Sequence, residues 1–178
     1  MMNLTGKNTR LYITVACLLG ALSAQAEDVG ALRIKAPAFT ARDLRNKLVS
    51  TDSLLAKGPL IIDFWATWCV PCKEEFEALK KTLRTFSGKN LTVLAVNEDG
   101  PSEIAKVKQM VAMRKLPFVV VMDNGKAIMR NYNVTALPTL FLIGTDGTIR
   151  YFSRGYISGD EVKLEEKLHE LFTSDKQH

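Results

Sequence analysis

Histidine is almost missing from this 178-residue chain: His169 and His178 are the only two. Cysteine is nearly as scarce, limited to Cys17, Cys69 and Cys72. A structural zinc site needs four nitrogen or sulfur ligands. His169 falls on an exposed helix position and His178 is the last residue, so the chain reads as having no metal site. No low-complexity tract and no repeat of solenoid period is present, which excludes linker-rich and repeat architectures. No apolar run reaches the roughly 20 residues of a spanning helix. Charge of neither sign dominates. The 24 Lys and Arg against 19 Asp and Glu give +5. Without residues 1–26, which carry Lys7 and Arg10 and no acid, the balance is 22 against 19, or +3. These charges interleave along the predicted helices as a mixed solvated surface, which gives no case for nucleic acid as a partner.

The N-terminus is laid out as an export signal. Lys7 and Arg10 precede an apolar stretch from Leu11 to about Ala24, and Ala24-Gln25-Ala26 follows in an A-x-A pattern. Residues 1–26 are read as a cleaved signal peptide, with an uncleaved membrane anchor as the alternative. Cys17 belongs to the apolar core of that signal: Thr14 stands where a lipoprotein motif wants an aliphatic residue. Residues 27–35 are a flexible leader, and one domain occupies 36–178. That domain would carry only Cys69 and Cys72, outside the cytoplasm, where disulfides persist.

The pattern predicts short strands at 39–44 and 47–50 around Arg45-Asn46, then a helical turn at 52–56 capped by Asp52 or Ser53. Residues 60–65 are apolar on both faces, the mark of a central strand covered twice. A helix follows over 70–86, with Phe76, Leu79, Leu83 and Phe86 on one stripe. Further strands are expected at 91–96 and 118–122. Between them a helix is expected from its cap Ser102 to about Arg114, and a short helix over 126–132 comes after. Residues 139–143 and 148–152 form a hairpin around Gly144–Gly147, and Gly155 is a candidate bulge. The last helix, 158–172, turns Val162, Leu164, Leu168 and Leu171 inward. The succession implies an α/β fold, a central mixed sheet flanked on both faces by helices.

The chemistry concentrates in L-I-I-D-F-W-A-T-W-C-V-P-C-K, residues 60–73. It sets a CxxC pair where a strand hands over to a helix N-terminus. Unpaired N–H groups and the helix dipole favour a thiolate there, by about 0.3–1 kcal/mol and up to ~2 kcal/mol. Cys69 is therefore read as the exposed nucleophile and Cys72, one turn further in, as the shielded resolving thiol. Pro71 suits the first turn, where its missing N–H costs nothing. A purely structural disulfide is the bland alternative, but so small a loop would add little stability. Asp63 lies on the apolar strand among Ile61, Ile62 and Phe64, where a carboxyl is desolvated and its pKa raised. The bland alternative there is a strand-end residue facing solvent. Glu75, three residues after Cys72, shares its helix face, with an ordinary surface charge as the alternative. Either carboxyl could take the proton of Cys72.

F-W-A-T-W-C-V-P-C-K-E-E-F closely resembles the thioredoxin superfamily, and within it the exported thiol–disulfide oxidoreductases of the TlpA/ResA kind. A-P-A-F near the start and Y-N-V-T-A-L-P-T-L-F-L-I-G-T-D-G-T-I further on extend the resemblance over most of residues 36–178. It implies a thioredoxin-like fold with an N-terminal β-hairpin and a βα insert. It implies that Pro138 is a cis-proline facing the CxxC, and that Trp68, Pro71 and Leu137 form an apolar docking surface beside it. Asp63 matches the buried aspartate of thioredoxins and Glu75 the active-site glutamate of the ResA group, so the base is open between them. Two positions depart from thioredoxins: Glu77 replaces a helix-kinking proline, and residues 93–96 lack the lysine that accompanies the buried aspartate.

The resemblance implies an enzyme that needs no cofactor beyond the redox-active Cys69–Cys72 disulfide. Its partners would be a disulfide-bearing protein substrate and a membrane thiol–disulfide electron donor, and it would act as a monomer. Such proteins reduce the cysteines of cytochrome c apoprotein or of copper sites. With no histidine between the cysteines and with Glu74 and Glu75 close by, the sequence leans toward reduction. A disulfide oxidase or isomerase is the alternative. A copper carrier is disfavoured, because those fold relatives combine CxxxC with a histidine. A peroxidase is disfavoured because its P-x-x-x-T-x-x-C pattern is absent.

Overall fold

The computed structural model describes residues 34–174. The signal reading at 1–26 and the leader reading as far as residue 33 lie outside the described residues; the last two leader residues are not free, since Ile34 O accepts from Ile149 N at 2.9 Å and Lys35 bridges Thr148. From Ile34 on, strands and helices follow as β1 Thr40–Arg42, β2 Leu48–Ser50, α1 Thr51–Leu55, β3 Leu60–Trp65 and α2 Val70–Thr85. The order continues with β4 Thr92–Asn97, a 3-10 turn Pro101–Glu103, α3 Ile104–Met113, β5 Val119–Met122 and α4 Ala127–Asn131. It ends with β6 Thr139–Ile143, β7 Ile149–Arg154 and α5 Glu161–Ser174.

The main sheet has the order β5-β4-β3-β6-β7. β3 pairs parallel with β4 and β4 with β5, while β6 runs antiparallel to β3 and β7 to β6. β3 is thus central, as its doubly apolar sequence requires, and all six of its residues are buried. The hairpin β1–β2 is a separate two-stranded sheet, tied to β5 through an Asp43–Val121 bridge.

Alternation along β3 sorts the core. Ile62 and Phe64 join Leu94, Val96, Phe141 and Tyr132 on the face covered by α1 and α4. Ile61 packs with Leu79 and Phe86 of the α2 segment and with Leu164, Leu168 and Leu171 of α5. Trp65 meets Phe76 edge-on, ring centres 5.0 Å apart, in the cluster that also holds both cysteines. Asp63 therefore projects toward α2, between two apolar clusters. α2 runs unbroken from Val70 to Thr85, with Glu77 where thioredoxins carry proline.

Several local expectations are corrected. The cap of α1 is Ser50, whose hydroxyl accepts from Ser53 N while Ser53 reaches back to it, a reciprocal capping box. Ser102 does not cap α3; it lies inside the 3-10 turn that Pro101 starts, and α3 has no side-chain cap. Gly155 is not the bulge. The register shift between β6 and β7 falls at Leu142/Ile143, and Gly155 turns the chain after β7 at φ 77°. Val162 is 56% exposed, because α5 begins at Glu161 and the inward stripe is Leu164, Leu168 and Leu171.

Candidate active site

Cys69 is the N-cap of α2, with extended backbone at φ −75° and ψ 110°. Its N–H donates to Ala66 O at 3.1 Å, closing a tight turn, and its Sγ accepts from Cys72 N at 3.3 Å. The thiol sulfur thus sits where the helix offers an unused donor. A disulfide joins Cys69 and Cys72, with Cα atoms 5.4 Å apart.

Cys69 is less exposed than expected, at 4% against 0% for Cys72. The surface around it is carried by its neighbours Trp68 and Val70, 65% and 64% exposed. The order of access is nonetheless the expected one. Pro71 is half-buried in the first turn of α2. Leu137 packs against the cluster containing both cysteines, and the Leu137–Pro138 peptide bond is cis. Pro138 O accepts from Gly155 N at 2.8 Å, and Thr139 Oγ1 donates to Ala136 O at 2.7 Å, so this loop is held on both sides of the proline.

Asp63 and Glu75 are both buried, at 0% and 3% exposure. The position beside Asp63 on β4 is Ala95, so no cation faces it from that strand. On α2, Cys72, Glu75 and Leu79 share the inward face. No fixed donor reaches either oxygen of Asp63 or Oε2 of Glu75. The hydrogen bond open to these carboxyls is with each other, and it needs a proton. Burial pushes Asp63 up to about 7, offset in part by the hydrogen bond from Glu75. Burial, then the Asp63 charge and hydrogen bond, then the Asp160 charge raise Glu75 well above the usual carboxylate range. Both carboxyls are thus raised, by burial first and then by each other, and they titrate as a pair.

A second buried network follows β4, at residues to which the sequence pattern assigns no role. Asp99 Oδ2 accepts from Thr67 N at 2.8 Å and from Asn97 Nδ2 at 2.8 Å, and Oδ1 accepts from Thr67 Oγ1 at 3.0 Å. Asp99 N in turn donates to Asn97 Oδ1 at 3.1 Å. The carboxylate therefore clamps the turn that ends at Cys69. The signal was N-E-D-G at the carboxyl end of a parallel strand, where sheets of this type place functional residues. Next to it, buried Glu98 is pushed up to about 7 by burial despite its 3.0 Å ion pair with Lys126. Asp99→Ala would leave three buried donors unpaired, and about 2–4 kcal/mol of stability should be lost in urea denaturation. An unchanged midpoint would show that the clamp is not holding the turn.

Known proteins place this arrangement. The AhpC/TSA family matches residues 32–152. The thiol-disulfide oxidoreductase ResA of Bacillus subtilis is 32% identical over 145 residues, covering 79% of each chain. ResA of Bacillus cereus is 36% identical over 115 residues, 65% of each chain. A crystal structure described as the thiol:disulfide interchange protein DsbE of Chlorobium tepidum superposes with a TM-score of 0.70 at 27% identity, over 77% of this chain and 94% of that one. A solution structure described as a thioredoxin of Neisseria meningitidis gives 0.69 at 32% identity, over 80% and 93%. With its CxxC at the N-terminus of α2 and a buried acid pair on the inward face, the chain belongs to the AhpC/TSA family, among the thiol–disulfide oxidoreductases of the ResA kind.

Proposed function

We propose that this protein is an exported dithiol reductase of protein disulfides, with Cys69 as nucleophile, Cys72 as resolving thiol and the Asp63–Glu75 pair as the base. The observation that carries the direction is that pair. Strong oxidants of this fold stabilise their reduced thiolate. Here two buried carboxyls stand behind the cysteines and no histidine lies between them, so negative charge opposes the thiolate and favours the disulfide form.

In the reduced enzyme, Cys69 Sγ⁻ attacks one sulfur of a substrate disulfide. A Cys69–substrate bond forms, the substrate S–S bond breaks, and one substrate thiolate leaves. Cys72 gives its proton to the acid pair and attacks Cys69 Sγ. The Cys69–Cys72 bond forms, the mixed disulfide breaks, and the second substrate thiolate leaves. Two electrons pass to the substrate, and both leaving thiolates take protons from solvent. Trp68 and Pro71 flank the cysteines in the chain and Leu137 packs on the cluster that holds them, so in this reading these residues and cis-Pro138 dock an extended apolar peptide.

Residues 1–26 direct export in this reading, and no helix among the described residues is long and apolar enough to cross a membrane. The substrates fitting it are cysteine pairs of cytochrome c apoprotein or of copper sites. A membrane thiol–disulfide transporter would restore the dithiol, and the enzyme works as a monomer with no cofactor beyond its disulfide. The test is catalysis of insulin disulfide reduction by residues 27–178, with dithiothreitol as electron source. Acceleration over dithiothreitol alone is expected, and no acceleration would overturn the reading.

A further inference from the structure

The acid pair needs a route to water that its position behind the cysteines does not supply. Asp63 is fully buried, and Glu75 reaches the surface at only 3%. Between α2, β6, β7 and the segment that leads into α5 lies a cavity with about 10 Å³ of room for a water centre. That is room for a single water, which needs roughly 10–15 Å³ on this measure. Glu75, Ala78, Tyr151, Ser153, Tyr156 and Asp160 line it. Glu75 thus borders both Asp63 and this cavity, and a water in it would bridge the carboxyl to the polar groups of the opposite wall.

The outer wall is built. Tyr156 Oη donates to Glu161 Oε2 at 2.9 Å, Gly159 N donates to the same oxygen at 2.9 Å, and Ile157 N donates to Asp160 Oδ2 at 2.9 Å. These bonds fix the 155–160 loop, which supplies Tyr156 and Asp160 to the cavity wall. The groups that face Glu75 are Asp63 from β3, Cys72 on its own helix, Tyr151 from β7, and Tyr156 and Asp160 from the loop, with Glu161 behind Tyr156.

We propose that the proton taken from Cys72 leaves through this cavity: from the acid pair to Glu75, to one bound water, and out past Asp160 and Tyr156. Glu75 is thereby the solvent-facing member of the pair and Asp63 the inner one. The inference rests on the pair acting as base in the preceding reading. Asp160, Tyr156 and Ala78 are positioning residues, touching neither substrate nor reacting sulfur.

The test is the pH dependence of mixed-disulfide resolution, started from Cys69 loaded with a small disulfide, in three variants. Asp160→Asn removes a negative charge beside Glu75 while keeping an acceptor for Ile157 N, so the midpoint should move to lower pH. Ala78→Leu fills the cavity and strips the carboxylate of its water, so the midpoint should move to higher pH. Each shift should reach half a pH unit or more, in opposite directions, with the pH profile of Cys69 alkylation unmoved in both. Shifts in the same direction, no shifts, or equal movement of the Cys69 profile would overturn the cavity route. Glu75→Gln separates the two ideas. If it leaves the resolution profile unchanged, the pair is not the base; if it alters the profile while the other two variants do not, only the route fails.

Discussion

Replacing Asp63 by Asn should stabilise the oxidised protein by about 2–4 kcal/mol at pH 8 and by close to nothing at pH 4. Asp63 ionises at about 7 in the fold, because it is fully buried. In the unfolded chain an aspartate ionises near 3.9. As pH rises between these values the unfolded state releases its proton and the folded state keeps it. The folded state then binds more protons, so stability falls with pH across that window and stays reduced above it. Each pKa unit corresponds to about 1.36 kcal/mol, which sets the upper end of the expected gain. Asn removes the titration and adds an amide donor for Glu75, whose Oε2 has none. Urea denaturation at pH 4, 6 and 8 reads this directly. A gain equal at all three values, or a loss at pH 8, would contradict a desolvated Asp63. The same variant should slow resolution by Cys72, since it deletes the inner proton acceptor.

The two cysteines should fail in different ways. Cys69→Ser should lose disulfide exchange by at least about 10³-fold, because a serine hydroxyl at the α2 N-cap is not ionised at neutral pH and the other cysteine among the described residues is shielded. Cys72 cannot substitute, being wholly buried. Cys72→Ser should keep the first attack and then stop, accumulating a stoichiometric Cys69 mixed disulfide visible by mass spectrometry. Residual turnover in Cys69→Ser, or adducts on Cys72 in the wild type, would reverse the assigned roles. Neither variant should change the apolar packing of Phe76 against Trp65, so folding can be checked separately by near-UV circular dichroism.

How much of this was legible in the sequence differs by element. β3 and β6 have the predicted bounds, because each is a short run of large apolar residues, interrupted only by Asp63 in β3 and opened by Thr139 in β6. α2 was legible for two reasons: the stripe through Phe76 and Leu79 fixes its face, and Cys69-Val70-Pro71 fixes its start. Asp63 and Glu75 could each be placed near Cys72. Their adjacency could not, since it depends on the facing of β3 combined with the pitch of α2. The Asp99 clamp was out of reach for the same reason: Thr67 and Asp99 are 32 residues apart and meet only because β3 and β4 end side by side. Val162 is apolar yet exposed: it lies in the first turn of α5, ahead of the inward stripe of Leu164, Leu168 and Leu171. Cys69 is less exposed than its N-cap position suggested, since Trp68 and Val70 take the outer surface.

The reduction potential of the Cys69–Cys72 couple, measured on residues 27–178 by equilibration with defined thiol buffers, tests the reductase reading most directly. Thioredoxin stands at about −270 mV and a strong oxidant of this fold at about −120 mV. Buried carboxyls behind the cysteines and no histidine between them predict a value near or below the thioredoxin figure. A value near −120 mV would contradict the account and make the protein a disulfide oxidase.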